Sequence, residues 1–264
     1  MPRPHRHPLI ALLLATALAA GCADRAKEEQ APRTVVSVSS AASLREAFGD
    51  AEKQYEAAHP DVDIRANFGA SGALQRQIEQ GAPADVFASA AEKPMDALQA
   101  RGLVDPRSRR PLAGNELVLI VPAVADSGTV RGFADLALPR VRRVALGVPA
   151  SVPAGEYADQ VLRTLGIRDA VQGKAVLGQD VRAVLAYVAS GEADAGVVYR
   201  TDVAAAGGRV RIVAVAPAGS HSPIRYPIAV TSQARDTAAA RAFVGFLLGP
   251  EGRTILRAHG FTAE

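Results

Sequence analysis

The stretch TVVSVSSAASLREAFGDAEKQYEAAHPDVDIRANFGASGAL, residues 34–74, decides the fold. It opens on a β-branched run, passes through a segment of helical period and returns to a second β-branched run, the order of a βαβ unit. Leu44, Ala47, Phe48, Ala51, Tyr55 and Ala58 recur at helical spacing and form one apolar face of the intervening helix. Ser43 stands just before that face. With Glu46 it meets the S-x-x-E spacing of a capping box, which predicts that the serine hydroxyl and the Glu46 carboxylate satisfy two amides of the first turn. A second strand-to-helix turn, FGASGAL at residues 68–74, follows with small residues that let the backbone approach a neighbour closely.

Working outward, the alternation continues. Strands are expected at residues 34–39, 62–68, 85–89, 117–121, 143–148, 195–199, 210–215 and 226–231, separated by helical segments. This pattern is α/β, with mostly parallel sheets flanked by helices. Asp180 reads as the N-cap of a helix beginning at Val181, and Asp85 as the start of a strand. Pro250 opens and Gly260 closes a final helix. The chain is long for a single doubly wound domain, so two lobes are expected.

The N-terminus has its own logic. Arg3 and Arg6 precede an apolar run at residues 9–20 and small residues ending in Gly21 and Cys22, the order of an export signal too short to span a bilayer. Residues 1–21 are therefore expected to be a signal peptide. Cys22, the only cysteine, excludes an intramolecular disulfide and any site built from several thiolates. The segment LAAGC at residues 18–22 resembles a bacterial lipobox, which would make Cys22 the acylated first residue of an exported, membrane-anchored lipoprotein, while an ordinary cleavage site is the alternative. Residues 22–33 read as a polar tether. Loss of Arg3 and Arg6 takes the formal charge from +3 to +1, so the basic balance implies no nucleic-acid partner.

Seven motifs then occur in order: AASLREAF, FGASGALQRQIEQGAPADVFASA, GNELVLIVP, VPAGEYADQVL, DVRAVLAYV, GVVYRTD and GFT. Together they resemble the periplasmic molybdate-binding proteins of ABC transporters, and the resemblance runs from about residue 35 to residue 262. It implies a two-lobed, type II periplasmic-binding-protein fold with the ligand in the interlobe cleft. One lobe would comprise residues 34–118 plus 226–264, and the other residues 119–225. It further implies that molybdate or tungstate is held by the hydroxyls of Ser43 and Ser71, by backbone amides at Ala154 and Val181, and by the Tyr199 hydroxyl. Molybdenum would then be bound through its oxygens, with no direct metal ligands and no cofactor. The implied partners are the permease and ATPase subunits of an ABC transporter, with the protein itself a monomer. One departure stands out: Ala70, Gly72 and Ala73 surround Ser71 where relatives often carry further serines or threonines.

A tetrahedral dianion offers only acceptor oxygens, so a matching site needs many donors aimed beforehand. Four of the five positions fall at or beside an expected helix start, where free amides and the helix dipole converge. Taken singly, each residue has a plain structural reading as a cap, a turn residue or a strand end. A sulfate, phosphate or organic-anion binder would use the same donors, and only the resemblance favours molybdate. An enzyme reading finds no support: His59, His221 and His259 have no triad spacing, and G-x-S-x-G, H-E-x-x-H and Walker motifs are absent. The five tyrosines are too dispersed for an iron carrier.

Overall fold

The computed structural model describes residues 33–124 and 130–262. The signal, the tether and Cys22 lie outside them, apart from Arg33. The βαβ unit forms as β1 (Thr34–Ala41), α1 (Arg45–Ala58) and β2 (Val62–Gly69), with a 3-10 turn at Ala42–Leu44 between β1 and α1. Ala47, Phe48, Ala51 and Tyr55 of α1 are buried as the period predicts, whereas Ala58 in its last turn is exposed. Tyr55 packs edge-on to Phe243, ring centroids 5.2 Å apart.

The remaining elements follow in order. They are α2 (Ser71–Glu79), β3 (Val86–Ala88), α3 (Glu92–Ala100), β4 (Arg110–Gly114), β5 (Leu117–Pro122), β6 (Val144–Gly147), α4 (Pro153–Thr164), α5 (Arg168–Gln172), β7 (Ala175–Gly178), α6 (Val181–Ala189), β8 (Ala195–Tyr199), β9 (Val210–Val215), β10 (Arg225–Val230), α7 (Thr237–Leu248) and α8 (Pro250–Ala258). As expected, Pro250 begins α8, and Gly260 follows it with φ of +84°, a left-handed conformation suited to glycine.

Two five-stranded sheets result, in the orders β2-β1-β3-β10-β4 and β7-β6-β8-β5-β9. Within each, three neighbouring strands are parallel and the fourth is reversed. The reversed strands are β10 and β5, the ones on which the chain arrives from the other sheet. A strand fed from the opposite lobe enters its sheet from the other end, hence its direction. The fold is thus α/β and two-lobed. Sheet membership changes between Gly114 and Leu117, and again between Val215 and Arg225.

Two strands were not expected from the sequence, β4 and β7, and both are edge strands. Pro111 within β4 is tolerated because an edge strand can forgo a ladder donor, and the pairing is irregular opposite it, between Tyr226 and Pro227. In β7 only Gly178 is buried, so the hydrophobic alternation that marks a strand is weak.

Candidate functional site

All five sequence-selected positions come together. Ser43, Ser71, Ala154, Val181 and Tyr199 line one small void between the lobes, with Ala41, Ala42, Gly69, Ala70, Ala90, Val152 and Pro153. No lining side chain carries a charge.

From the first lobe, Ser43 sits in the 3-10 turn that leaves β1, and its side chain is buried. The expected capping box is not formed: Leu44 precedes α1 and no side chain caps either the turn or the helix. Because the chain already turns helically at Ala42, Ser43 cannot take the extended conformation of an N-cap. Its Oγ instead lies 3.0 Å from Tyr226 Oη. Glu46, the other half of the expected box, pairs instead with Arg182 of the second lobe. Ser71 is the first residue of α2 and fully buried, and its Oγ accepts the Ala90 N–H at 2.9 Å.

From the second lobe, Ala154 and Val181 belong to the first turns of α4 and α6, where backbone amides have no intrahelical acceptor. Asp180 caps α6 as the sequence indicates, accepting the Ala183 N–H at 2.9 Å, so its carboxylate is occupied beside the void. The start of α4 is fixed by close packing. A Cβ on Gly155 would stand 2.1 Å from Gly147 O, so only glycine lets the helix end seat on β6. Tyr199 ends β8; its ring meets Tyr226 edge-on at 5.7 Å, and its hydroxyl reaches Ala90 O at 3.5 Å. Burial drives the phenols of both tyrosines well above their ordinary pKa, keeping them protonated donors.

The lobes are in contact around the void. Gly72 N–H donates to Ser151 O at 3.0 Å, and a Cβ on Gly72 would stand 2.8 Å from that oxygen. This is the close approach that the small residues of the second turn predict. Lys93 meets Glu156 at 2.9 Å, and Arg182 contacts both Glu46 and the buried Asp202, its Nε 3.1 Å from Asp202 Oδ1. That last contact is an ion pair without hydrogen-bond alignment. Desolvation dominates at Asp202 and raises its pKa to about 7 despite Arg182.

Three residues near the site were missed in the sequence: Tyr226, Asn115 and Arg182. Tyr226 lies 183 residues from the serine it meets, and no local spacing connects the two. Asp85, read as the start of a strand, precedes β3 and accepts the Ser37 and Arg235 amides at 2.6 and 2.8 Å, away from the void. Among the described residues, no group of three or more His, Cys, Asp or Glu could hold a metal ion, and no helix is long and apolar enough to cross a membrane.

The profile of bacterial extracellular solute-binding proteins matches residues 36–262. A substrate-binding lipoprotein of Bacillus subtilis assigned to an ABC transporter is 42% identical over 256 residues, covering 97% of each chain. The molybdate-binding protein of Haemophilus influenzae is 38% identical over 232 residues, 87% of this chain and 90% of that one. The solved periplasmic molybdate-binding protein of Azotobacter vinelandii superposes with a TM-score of 0.77 at 28% identity, covering 87% of this chain and 99% of its own. A match along nearly the whole folded chain, on the fold just described, makes this protein a member of the bacterial extracellular solute-binding protein family.

Proposed function

We propose that this protein captures molybdate, and also tungstate, outside the cytoplasm and delivers it to the permease and ATPase subunits of an ABC transporter. The anion is held by the hydroxyls of Ser43, Ser71 and Tyr199 and by the amides of Ala154 and Val181. The observation that carries this reading is the convergence of those five positions on one uncharged void between two lobes. Helix starts supply the compensation that a lysine or arginine would otherwise give, because first-turn amides and the helix dipole favour negative charge. The protein performs no chemistry on its ligand; binding and release are its whole cycle. It works as a monomer, and acylation of Cys22 tethers it to the membrane. Relatives named for molybdate binding support this choice of anion.

Titration calorimetry with four anions tests the reading. Molybdate and tungstate should bind with similar affinity, sulfate more weakly because lobes closed on a larger ion contact it at longer distance, and phosphate poorly. Phosphate near neutral pH keeps a proton that a site of donors leaves unpaired. Binding of phosphate as tight as that of molybdate would sink the proposal.

A further inference from the structure

Ser43 Oγ and Tyr226 Oη are 3.0 Å apart, and that contact alone does not say which hydroxyl donates. The answer lies two residues away. The Glu116 backbone N–H can only donate, and it donates to Asn115 Oδ1 at 2.9 Å. This fixes the amide orientation, so Nδ2 carries the hydrogens. One of them goes to Thr201 Oγ1 at 2.9 Å and the other to Tyr226 Oη at 3.2 Å. Tyr226 Oη is therefore an acceptor toward Asn115 and has a single hydrogen left to give. Of the two hydroxyls beside it, Tyr199 stands as a donor, held protonated by its hydrogen bond with Tyr226 and turned toward Ala90 O, which leaves Ser43 Oγ, 3.0 Å away, to accept. Once Ser43 receives that hydrogen, its own proton is free to point into the void. Ser71 is set the same way by the backbone, since the Ala90 N–H can only donate to its Oγ.

We infer that Asn115 and Tyr226 are specificity-determining positioning residues. The relay from the Glu116 amide through Asn115 and Tyr226 ties up one of the two lone pairs of Ser43 and leaves its proton for the void, favouring fully deprotonated oxyanions over those that keep a proton. The inference rests on the proposed oxyanion site. Tyr226 touches no anion itself; it acts through Ser43. Without the Tyr226 hydroxyl, a lone pair of Ser43 is released, and the serine can turn to accept a hydrogen from a protonated anion. The void then tolerates what it rejected.

The test is Tyr226→Phe, with dissociation constants measured for molybdate and for phosphate in the intact protein. Molybdate affinity should fall roughly tenfold, and the ratio of the phosphate to the molybdate constant should fall by about tenfold or more. Equal weakening of both anions, leaving the ratio unchanged, overturns the inference and makes Tyr226 a packing residue; so does no change at all. Asn115→Ala, at a half-buried position, carries the same ratio test should Tyr226→Phe melt below the working temperature. If the wild type binds molybdate and the ratio holds in both variants, only the relay fails. A wild type that binds neither anion defeats the site reading and the relay with it.

Discussion

The two lobes share one sheet order and one reversed strand in the same place, yet they equip the void differently. The first lobe offers side-chain hydroxyls, Ser43 and Ser71, each oriented by a partner that donates to it. The second offers first-turn amides at Ala154 and Val181, whose direction is a property of the helix axis, together with the phenol of Tyr199. A hydroxyl must be aimed by its neighbours, whereas an amide is aimed as soon as its helix is seated. On the proposed site, specificity in the first lobe would lie in hydrogen-bond direction, and in the second in how closely helix and sheet pack.

The strongest way to break this contrast is to unseat a helix. Gly155→Ala puts a methyl group 2.1 Å from a backbone carbonyl oxygen that cannot swing aside, whereas at Gly69 in the first lobe an added Cβ meets only the Leu74 side chain at 3.5 Å. Gly155→Ala should cost about 3 kcal/mol of stability or more and abolish measurable anion binding, while Gly69→Ala should leave the stability near wild type. Thermal melts and titrations of the pair decide it. Equal tolerance at both sites would dissolve the distinction between the lobes.

Removing one hydroxyl is the next largest change. Ser71→Ala should weaken molybdate by roughly 1–3 kcal/mol, because an anion oxygen in a water-poor cleft loses its donor. The melting temperature without added anion should fall as well, because the buried Ala90 N–H loses its acceptor, so binding is titrated well below the variant's melting range. A calorimetric constant equal to wild type would remove Ser71 from the site.

A third test concerns the seam between the lobes. Asp202 has its folded pKa raised to about 7 by burial, above the ordinary 3.8. Below about pH 4 the carboxyl is protonated whether the chain is folded or not. Between about 4 and 7 the folded state holds a proton that the unfolded chain has lost, so stability falls as pH rises through that window and levels off above it. Asp202→Asn should flatten this part of the melting-temperature profile between pH 5 and 8. An unchanged slope would mean that other groups set it.

Much of this was legible in the sequence. Eight of the ten strands among the described residues lie within two residues, at either end, of their expected bounds, because buried strands carry β-branched runs and turn residues punctuate them. The five site positions were named through the resemblance, and the void gathers them all. What stayed hidden was relational. The S-x-x-E spacing at Ser43 and Glu46 is a valid local signal, but tertiary partners took both side chains, Tyr226 the serine and Arg182 the glutamate. β4 and β7 are not legible because they are short and carry no hydrophobic alternation, β4 holding Pro111 and β7 burying only Gly178.

One feature sets a limit on how the jaws can meet. Gly72 and Ser151 touch backbone to backbone, with no side chain between them to yield. Such a contact behaves as the stop on a caliper: it fixes the narrowest gauge, and no ligand can draw the lobes past it. An ion smaller than the gauge rattles, because the walls cannot follow it inward. One that is larger holds the stop open and forfeits the Gly72 hydrogen bond. For the proposed oxyanion site, selection by size would then need no side chain to sense the ion, only a glycine kept bare so that the stop sits at the right depth.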